Sequence, residues 1–168
     1  MSELESIADS GSAAALRIAA DAGDNAAART LGTRLLVGRD APFAPEEGVR
    51  YVRLAAENGD AEALTIMATL SGGGVWGVPH SWPNALDYLL AASEAGSASA
   101  RTQLCLIAGD AAAVALARAS PSPDIWKRLR QSVNLEAWVR SEPAIQVCGS
   151  PKIWTAEKFV SRSFARSC

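Results

Sequence analysis

The stretch AAENGDAEA at residues 55–63 decides the fold, because two close copies of it occur elsewhere in the chain. The copies read AADAGDNAA at residues 19–27 and ASEAGSASA at residues 92–100. Each stretch contains one glycine, and the three are Gly23, Gly59 and Gly96. These glycines lie 36 and 37 residues apart. A fixed period of this length is typical of proteins built from stacked repeats.

Other positions keep the same period. A large apolar residue followed by a small one comes after each copy, at Leu31 with Gly32, Met67 with Ala68 and Leu104 with Cys105. Gly38 and Gly74 are 36 residues apart, and Tyr51 and Tyr88 are 37 residues apart. Chance does not keep this many positions in register, so we predict a true internal repeat.

The residue pattern within one complete unit predicts two antiparallel helices. Residues from about 25 to 37 form the first helix, since small and apolar residues recur there at helical spacing. The residues on this face are Ala28, Leu31, Gly32 and Leu35. Gly38 ends this helix. Pro45 begins the second, because proline suits the first turn of a helix.

The second helix is predicted to end in the sharp turn at Asn58 and Gly59, where glycine can adopt a left-handed conformation. Asp60 then caps the next helix, and Ser97 has the equivalent place one unit later. The predicted buried face of the second helix consists of Val49, Val52, Leu54, Ala55 and Ala56. The same pattern predicts further helices over residues 61–72, 83–95 and 98–108.

We therefore predict an all-α fold, an α-solenoid of antiparallel helix pairs, because one pair cannot bury its apolar face alone. The repeats fill residues 1–108, in units at about 1–24, 25–60, 61–97 and 98–108. Small residues in the first helices, at Gly32, Ala68 and Cys105, allow the paired helices to approach closely. We expect Cys105 to be a buried core residue, as free cysteines often are.

One unit contains Leu31 with Gly32, then Gly38, then Tyr51, and then AAENGDAEAL at residues 55–64. This pattern resembles the Sel-one-like repeat, a close relative of the tetratricopeptide repeat. The resemblance covers residues 19 to about 108. It implies a right-handed superhelix that serves as an adaptor or scaffold surface, and it implies no chemistry. The loop at residues 71–83, SGGGVWGVPHSWP, departs from the family, since it contains more glycine and aromatic residues than the usual short glycine-bearing turn.

This loop contains the motifs that suggest other functions. Gly72, Gly74 and Gly77 formally satisfy the GxGxxG spacing of dinucleotide-binding proteins. A helix instead of a strand precedes them, so a glycine-rich turn is the better interpretation. His80 lies between Trp76 and Trp82. We expect the two tryptophans to pack over the loop, with the anchoring of a partner as the alternative.

Polar side chains on the first helices are the predicted partner contacts, because these helices usually line the concave face of a repeat array. These residues are Arg29, Thr33, Thr65, Thr69 and Thr102. A face that is merely solvated is the alternative.

Composition excludes several classes of function. The chain has one histidine, so a metal or catalytic site built on two histidines cannot form within one copy. The net charge of −2 argues against nucleic-acid binding. The longest apolar run, residues 111–117, is far shorter than the roughly 18 residues of a membrane span.

The amino terminus has no signal-peptide pattern. The three cysteines, Cys105, Cys148 and Cys168, form no CxxC pair or disulfide framework, which fits a reducing compartment. We expect a cytoplasmic protein, and the excess of alanine and arginine over lysine suggests a GC-rich bacterial genome.

After Asp110 the repeat register is lost. Residues 1–110 hold 14 acids and 7 bases, giving −7, whereas residues 111–168 hold 4 acids and 9 bases, giving +5. Such asymmetry marks a change of structural unit. We predict a helical bridge or cap over residues 109–142. Its helices are expected at AAAVALARAS, at IWKRLRQSV after the cap Ser122, and around Asn134–Arg140, which carries Trp138.

The tail at residues 143–168 has a different pattern. Alternating apolar residues there predict a short β segment. Its letters, CGSPKIW followed by KFVS and a final cysteine, resemble the start of a bacterial prolyl 4-hydroxylase-like oxygenase domain. That family requires iron(II), two histidines, a carboxylate and 2-oxoglutarate. This chain has no such set, so any oxygenase domain would be absent from it. We expect the tail to be poorly ordered, or to pair with itself or with another copy.

Two functions follow from the sequence. The first is a non-catalytic scaffold that binds a protein or peptide, with no cofactor, metal, nucleic acid or membrane. The second is the accessory, substrate-engaging portion of an iron(II)- and 2-oxoglutarate-dependent hydroxylase whose catalytic domain is absent.

Overall fold

The computed structural model describes residues 12–135. Within that range the chain is all-α, with eight helices and no strand. The helices are α1 (Ala13–Asp21), α2 (Asn25–Val37), α3 (Pro45–Glu57), α4 (Ala61–Gly73), α5 (Trp82–Glu94), α6 (Ala98–Ile107), α7 (Ala111–Ala119) and α8 (Pro123–Ser132). Helices α2 to α6 lie within a residue of the predicted bounds.

The helices pack in sequence as a repeat array. The most extensive contacts are within the pairs α2 with α3 and α4 with α5, and smaller contacts join each pair to the helix before and after it. One apolar core runs from Ala20 in α1 to Ala100 in α6. This is the stacking that a solenoid of two-helix units requires.

The two helices of the first complete unit touch at a pair of glycines. A Cβ atom added to Gly32 would lie 2.8 Å from the carbonyl oxygen of Gly48 and 2.7 Å from Val52 Cγ2. A Cβ atom on Gly48 would lie 2.8 Å from the carbonyl oxygen of Gly32. The predicted close approach at Gly32 is therefore confirmed, and Gly48 is the partner that the sequence analysis did not identify.

Side-chain caps begin the first helix of each unit. The Asp24 carboxylate accepts hydrogen bonds from the amides of Ala26 and Ala27. Asp60 and Ser97 accept one each, from Ala63 and Ala100. Each cap satisfies an amide that has no partner within its own helix.

The loop after α4 has the conformation of the loop after α2 with one more residue. Gly38 and Gly74 end these helices with φ of 72° and 63°, and Asp40 and Trp76 repeat a positive φ two residues later, at 55° and 51°. The loops close with equivalent backbone hydrogen bonds, from the Ala44 amide to Leu35 and from the Ser81 amide to Ser71. The glycine-rich segment is thus a repeat connection and not a nucleotide loop.

Helices α7 and α8 cover the end of the array, and α8 packs on both α5 and α6. Their buried residues Ala113, Ala117, Ile125, Trp126 and Leu129 form a second apolar cluster with Leu104 of α6. Ser122 caps α8 as predicted, accepting from the amide of Ile125, and Pro123 is its first residue. Asp110, which the sequence analysis did not identify as a cap, begins α7 and accepts a hydrogen bond from the Ala113 amide.

Two predictions about burial are wrong. Leu54, placed on the buried face of the second helix, is 39% exposed because it lies on the outer side of α3. Cys105, expected in the core, is only half-buried. The predicted β segment and tail, together with Trp138 and most of the helix around 134–140, lie outside the described residues.

The glycine contact predicts a strong effect of one methyl group. We expect Gly32→Ala to lower the free energy of unfolding by about 1 to 3 kcal/mol, because the new Cβ meets backbone atoms that cannot move aside. Gly72→Ala in α4 is the matched control, since its Cβ would find nothing closer than 3.6 Å. Chemical denaturation measures both, and equal effects of the two substitutions would contradict the close approach.

The cap at Asp110 predicts a dependence of stability on pH. The hydrogen bond from the Ala113 amide is the main cause that lowers the pKa of the Asp110 carboxyl below its usual 3.8. The Arg128 guanidinium, 2.8 Å away, lowers this pKa further. A lowered pKa means that ionised Asp110 stabilises the fold at neutral pH and that this contribution is lost as pH falls through the folded value.

We therefore expect Asp110→Asn to lower the melting temperature at pH 7 and to have a much smaller effect in strong acid. Thermal unfolding of both chains over a pH series measures the difference. An unchanged difference from neutral to acidic pH would show that the charge of Asp110 does not stabilise the cap.

Candidate binding cleft at the end of the repeat array

The predicted polar stripe begins with residues that join one unit to the next. Arg29 Nε in α2 donates a hydrogen bond to Asp60 Oδ2, 3.2 Å away, at the start of α4. At the equivalent place one unit later, Thr65 Oγ1 in α4 lies 3.0 Å from Ser97 Oγ, at the start of α6. Thr65 is only 7% exposed. Arg29 and Thr65 therefore hold the array together, and Thr65 does not face solvent.

The other three residues of the stripe are bonded within their own helices. The hydroxyls of Thr33, Thr69 and Thr102 each donate to the backbone carbonyl four residues earlier. Thr33 and Thr69 are half-buried, and Thr102 alone of the five predicted residues is exposed. The stripe is thus not a continuous open polar face, and Thr102 is the member that a partner can reach most easily.

The loop aromatics pack as expected. The Trp76 ring meets the Phe43 ring edge to face, with centroids 6.5 Å apart, so that the loops of neighbouring units touch. The Trp82 ring meets the His80 ring in the same manner at 6.0 Å. Both tryptophans are half-buried. Anchoring of a partner by these rings stays an untested alternative.

A cleft of about 340 Å³ opens between α6 and α7. One wall is α6, the other is the end of α7, and Trp126 of α8 forms part of the lining. The lining residues are Ala98, Arg101, Thr102, Cys105, Leu106, Ala117, Arg118, Pro121 and Trp126.

The cleft lies where the repeat pattern breaks. Cys105 occupies the register position of Gly32, which in the first unit packs directly against α3. After α6, however, only residues 108–110 precede the next helix, and α7 packs on α8 rather than along α6. The face of α6 that a second helix would cover is consequently left partly open. This is also why Cys105 is only half-buried.

Two arginines give the cleft its charge. Arg101 is fixed, since its Nε donates to the Ser93 carbonyl 3.0 Å away and its guanidinium carbon lies 5.3 Å from the Trp126 ring centroid. Arg118 is exposed in the last turn of α7, and the described part of the chain offers it no ion pair. Among the described residues 12–135, no carboxylate belongs to the lining, so this part of the cleft combines apolar walls with positive charge.

Sequence reasoning found only part of this site. It named Thr102 and Cys105 for other reasons, and it did not name Arg101, Leu106 or Trp126. The available signal was the loss of register after Asp110, which marks the place where a first helix loses its regular partner.

The described residues 12–135 contain no helix long and apolar enough to cross a membrane. The same residues contain no group of three or more histidine, cysteine or acidic side chains arranged to hold a metal ion.

Comparison with known proteins supports the fold. No family model matched the chain, and no curated protein matched it either. Among solved structures, the crystal structure of a Sel1 repeat protein from Oxalobacter formigenes superposes with a TM-score of 0.52 at 20% identity. The match covers 89% of this chain and 76% of the other. This likeness shows that the chain has the fold of an α-helical repeat solenoid. The oxygenase-like tail found no counterpart.

The contact between Arg29 and Asp60 predicts coupling between units. A double-mutant cycle with Arg29→Met and Asp60→Asn should give a coupling energy of about 0.5 to 1 kcal/mol, because this ion pair is partly buried. Asparagine retains the capping oxygen, so the cycle isolates the ion pair. Chemical denaturation of the four proteins provides the measurement.

The control cycle uses Lys127 and Glu94, whose charged atoms lie 3.9 Å apart on the surface. We expect a coupling energy near zero there. A coupling at Arg29 and Asp60 no larger than in this control would mean that the pair does not help to stack the units.

Proposed function

We propose that this chain is a non-catalytic scaffold that binds a protein or peptide partner in the cleft between α6 and α7. The open cleft carries the proposal, since it exposes apolar and cationic side chains where the described residues place no regular second helix along α6. The repeat fold supports it, because stacked helical units present extended surfaces that are suited to binding other chains.

Leu106 is the feature of the cleft most typical of a binding surface. This leucine is 69% exposed and lies beside the exposed Thr102 on α6. An exposed apolar side chain next to a concavity can become buried on binding, with a gain of about 1.5 to 3 kcal/mol if burial is complete. Such anchors, surrounded by polar residues, are typical of protein interfaces.

The proposal includes a bacterial and cytoplasmic setting, for which the support is the composition and cysteine usage described above. It does not include the oxygenase-related function. No observation on the described residues favours that function, and the residues that suggested it lie outside them.

A displayed library of random peptides, selected on the purified chain, tests the proposed function. We expect the enriched peptides to bind the native chain and to lose at least about tenfold in affinity, or roughly 1.4 kcal/mol, for Leu106→Asp. Ile18→Asp is the matched control, because Ile18 is also strongly exposed but lies on α1. Fluorescence polarisation with the synthesised peptides gives the affinities.

Failure to enrich any peptide, or equal binding to the native chain and to Leu106→Asp, would contradict binding at the cleft. Circular dichroism of both variants is the folding control, since native helix content would show that lost affinity is not due to unfolding.

A further inference from the structure

We infer that the occupant of the cleft is an acidic segment of a separate protein, with one apolar side chain inserted between α6 and α7. This inference rests on the proposed function and adds the chemistry of the partner. It follows from the division of the cleft's lining into an apolar part and a positively charged part.

The cleft accommodates an inserted side chain. It measures about 340 Å³ between α6 and α7, and the buried ring of Trp126 lies among its lining residues. A partner can insert an anchor side chain there while its backbone remains at the rim.

The floor and walls suit an apolar anchor. Ala98, Leu106, Ala117, Pro121 and the Trp126 ring account for most of the lining. Aromatic and aliphatic surfaces around a pocket of this kind are typical of sites that bury a leucine, isoleucine or phenylalanine.

The charged part of the lining selects acidic neighbours of that anchor. Arg101 projects from α6 and Arg118 from α7, so a positive charge lies on each wall. Arg101 is already held by Ser93 and Trp126, and its position is fixed before a partner arrives. Guanidinium groups pair with carboxylates through two parallel hydrogen bonds. A basic partner would instead place like charges together, at a cost in affinity.

The charges of residues 1–11 and 136–168 decide which of these segments could compete with a separate partner for the cleft. Residues 136–168 hold five bases and three acids, so their net charge has the same sign as the cleft. Residues 1–11 hold three acids and no base, and include Leu4 and Ile7. That segment has the right composition, and a second copy of the chain is the competing occupant that the experiment must separate.

Three parallel selections from the peptide library test the inference, with the native chain, Arg118→Glu and Arg53→Glu as targets. Arg53 is an exposed arginine on α3, and its reversal makes the same change in net charge away from the cleft. We expect the native and Arg53→Glu pools to be enriched in aspartate and glutamate next to a leucine, isoleucine or phenylalanine. The Arg118→Glu pool should lose the acidic enrichment.

Individual peptides give the quantitative result. A peptide selected on the native chain should bind Arg118→Glu at least about tenfold more weakly and Arg53→Glu equally well. Its affinity for the native chain should also fall as sodium chloride rises from about 50 mM to about 500 mM. The salt series needs no variant, so it remains informative if a substitution disturbs folding.

The remaining outcomes overturn the inference in different ways. Peptides that depend on Leu106 but lack acidic enrichment refute the acidic partner and leave the scaffold function intact. The absence of any peptide that depends on Leu106 refutes both. Displacement of the selected peptides by the synthetic peptide MSELESIADSG, together with self-association of the full chain, identifies a second copy as the occupant and refutes a separate partner.

Discussion

The contact of two backbones at Gly32 and Gly48 is the constraint on which the rest of the array depends. Where a Cβ atom would lie 2.8 Å from a carbonyl oxygen, no side chain larger than hydrogen fits without moving a helix. Such close approach brings α2 and α3 together along their length and buries the neighbouring Val52 completely. The abundance of alanine in the repeats has the same physical basis, because small side chains keep paired helices near each other.

The sequence predicted the repeats well because several independent local signals agree at the same period. Glycine with positive φ at Gly38 and Gly74, proline at the start of α3 and capping side chains at Asp60 and Ser97 each fix a helix end on their own. Gly48 was missed because a glycine inside a helix has no local signature of its contact. Leu54 was misplaced because apolar character alone does not say which side of an amphipathic helix faces the core.

The candidate cleft could not be predicted in the same way. It depends on how α7 and α8 fold back on α6, and these helices follow no repeat from which their packing could be extrapolated. The predicted polar stripe failed for a related reason. Arg29 and Thr65 are polar, but each finds its hydrogen-bond partner on the next unit. A polar side chain on a helix therefore indicates only that it needs a hydrogen-bond partner. For Arg29 and Thr65, the neighbouring unit supplies that hydrogen-bond partner.

The bonds between units give the array a direction. Arg29 and Thr65 each lie upstream of the cap that they contact, so every new first helix starts against a unit that has already been synthesised. During translation, domains form from the amino terminus as the chain emerges. The partners of Asp60 and Ser97 thus precede them along the chain and leave the ribosome first. Growth of this solenoid can follow the order of synthesis, with each completed unit serving as the template on which the next helix nucleates.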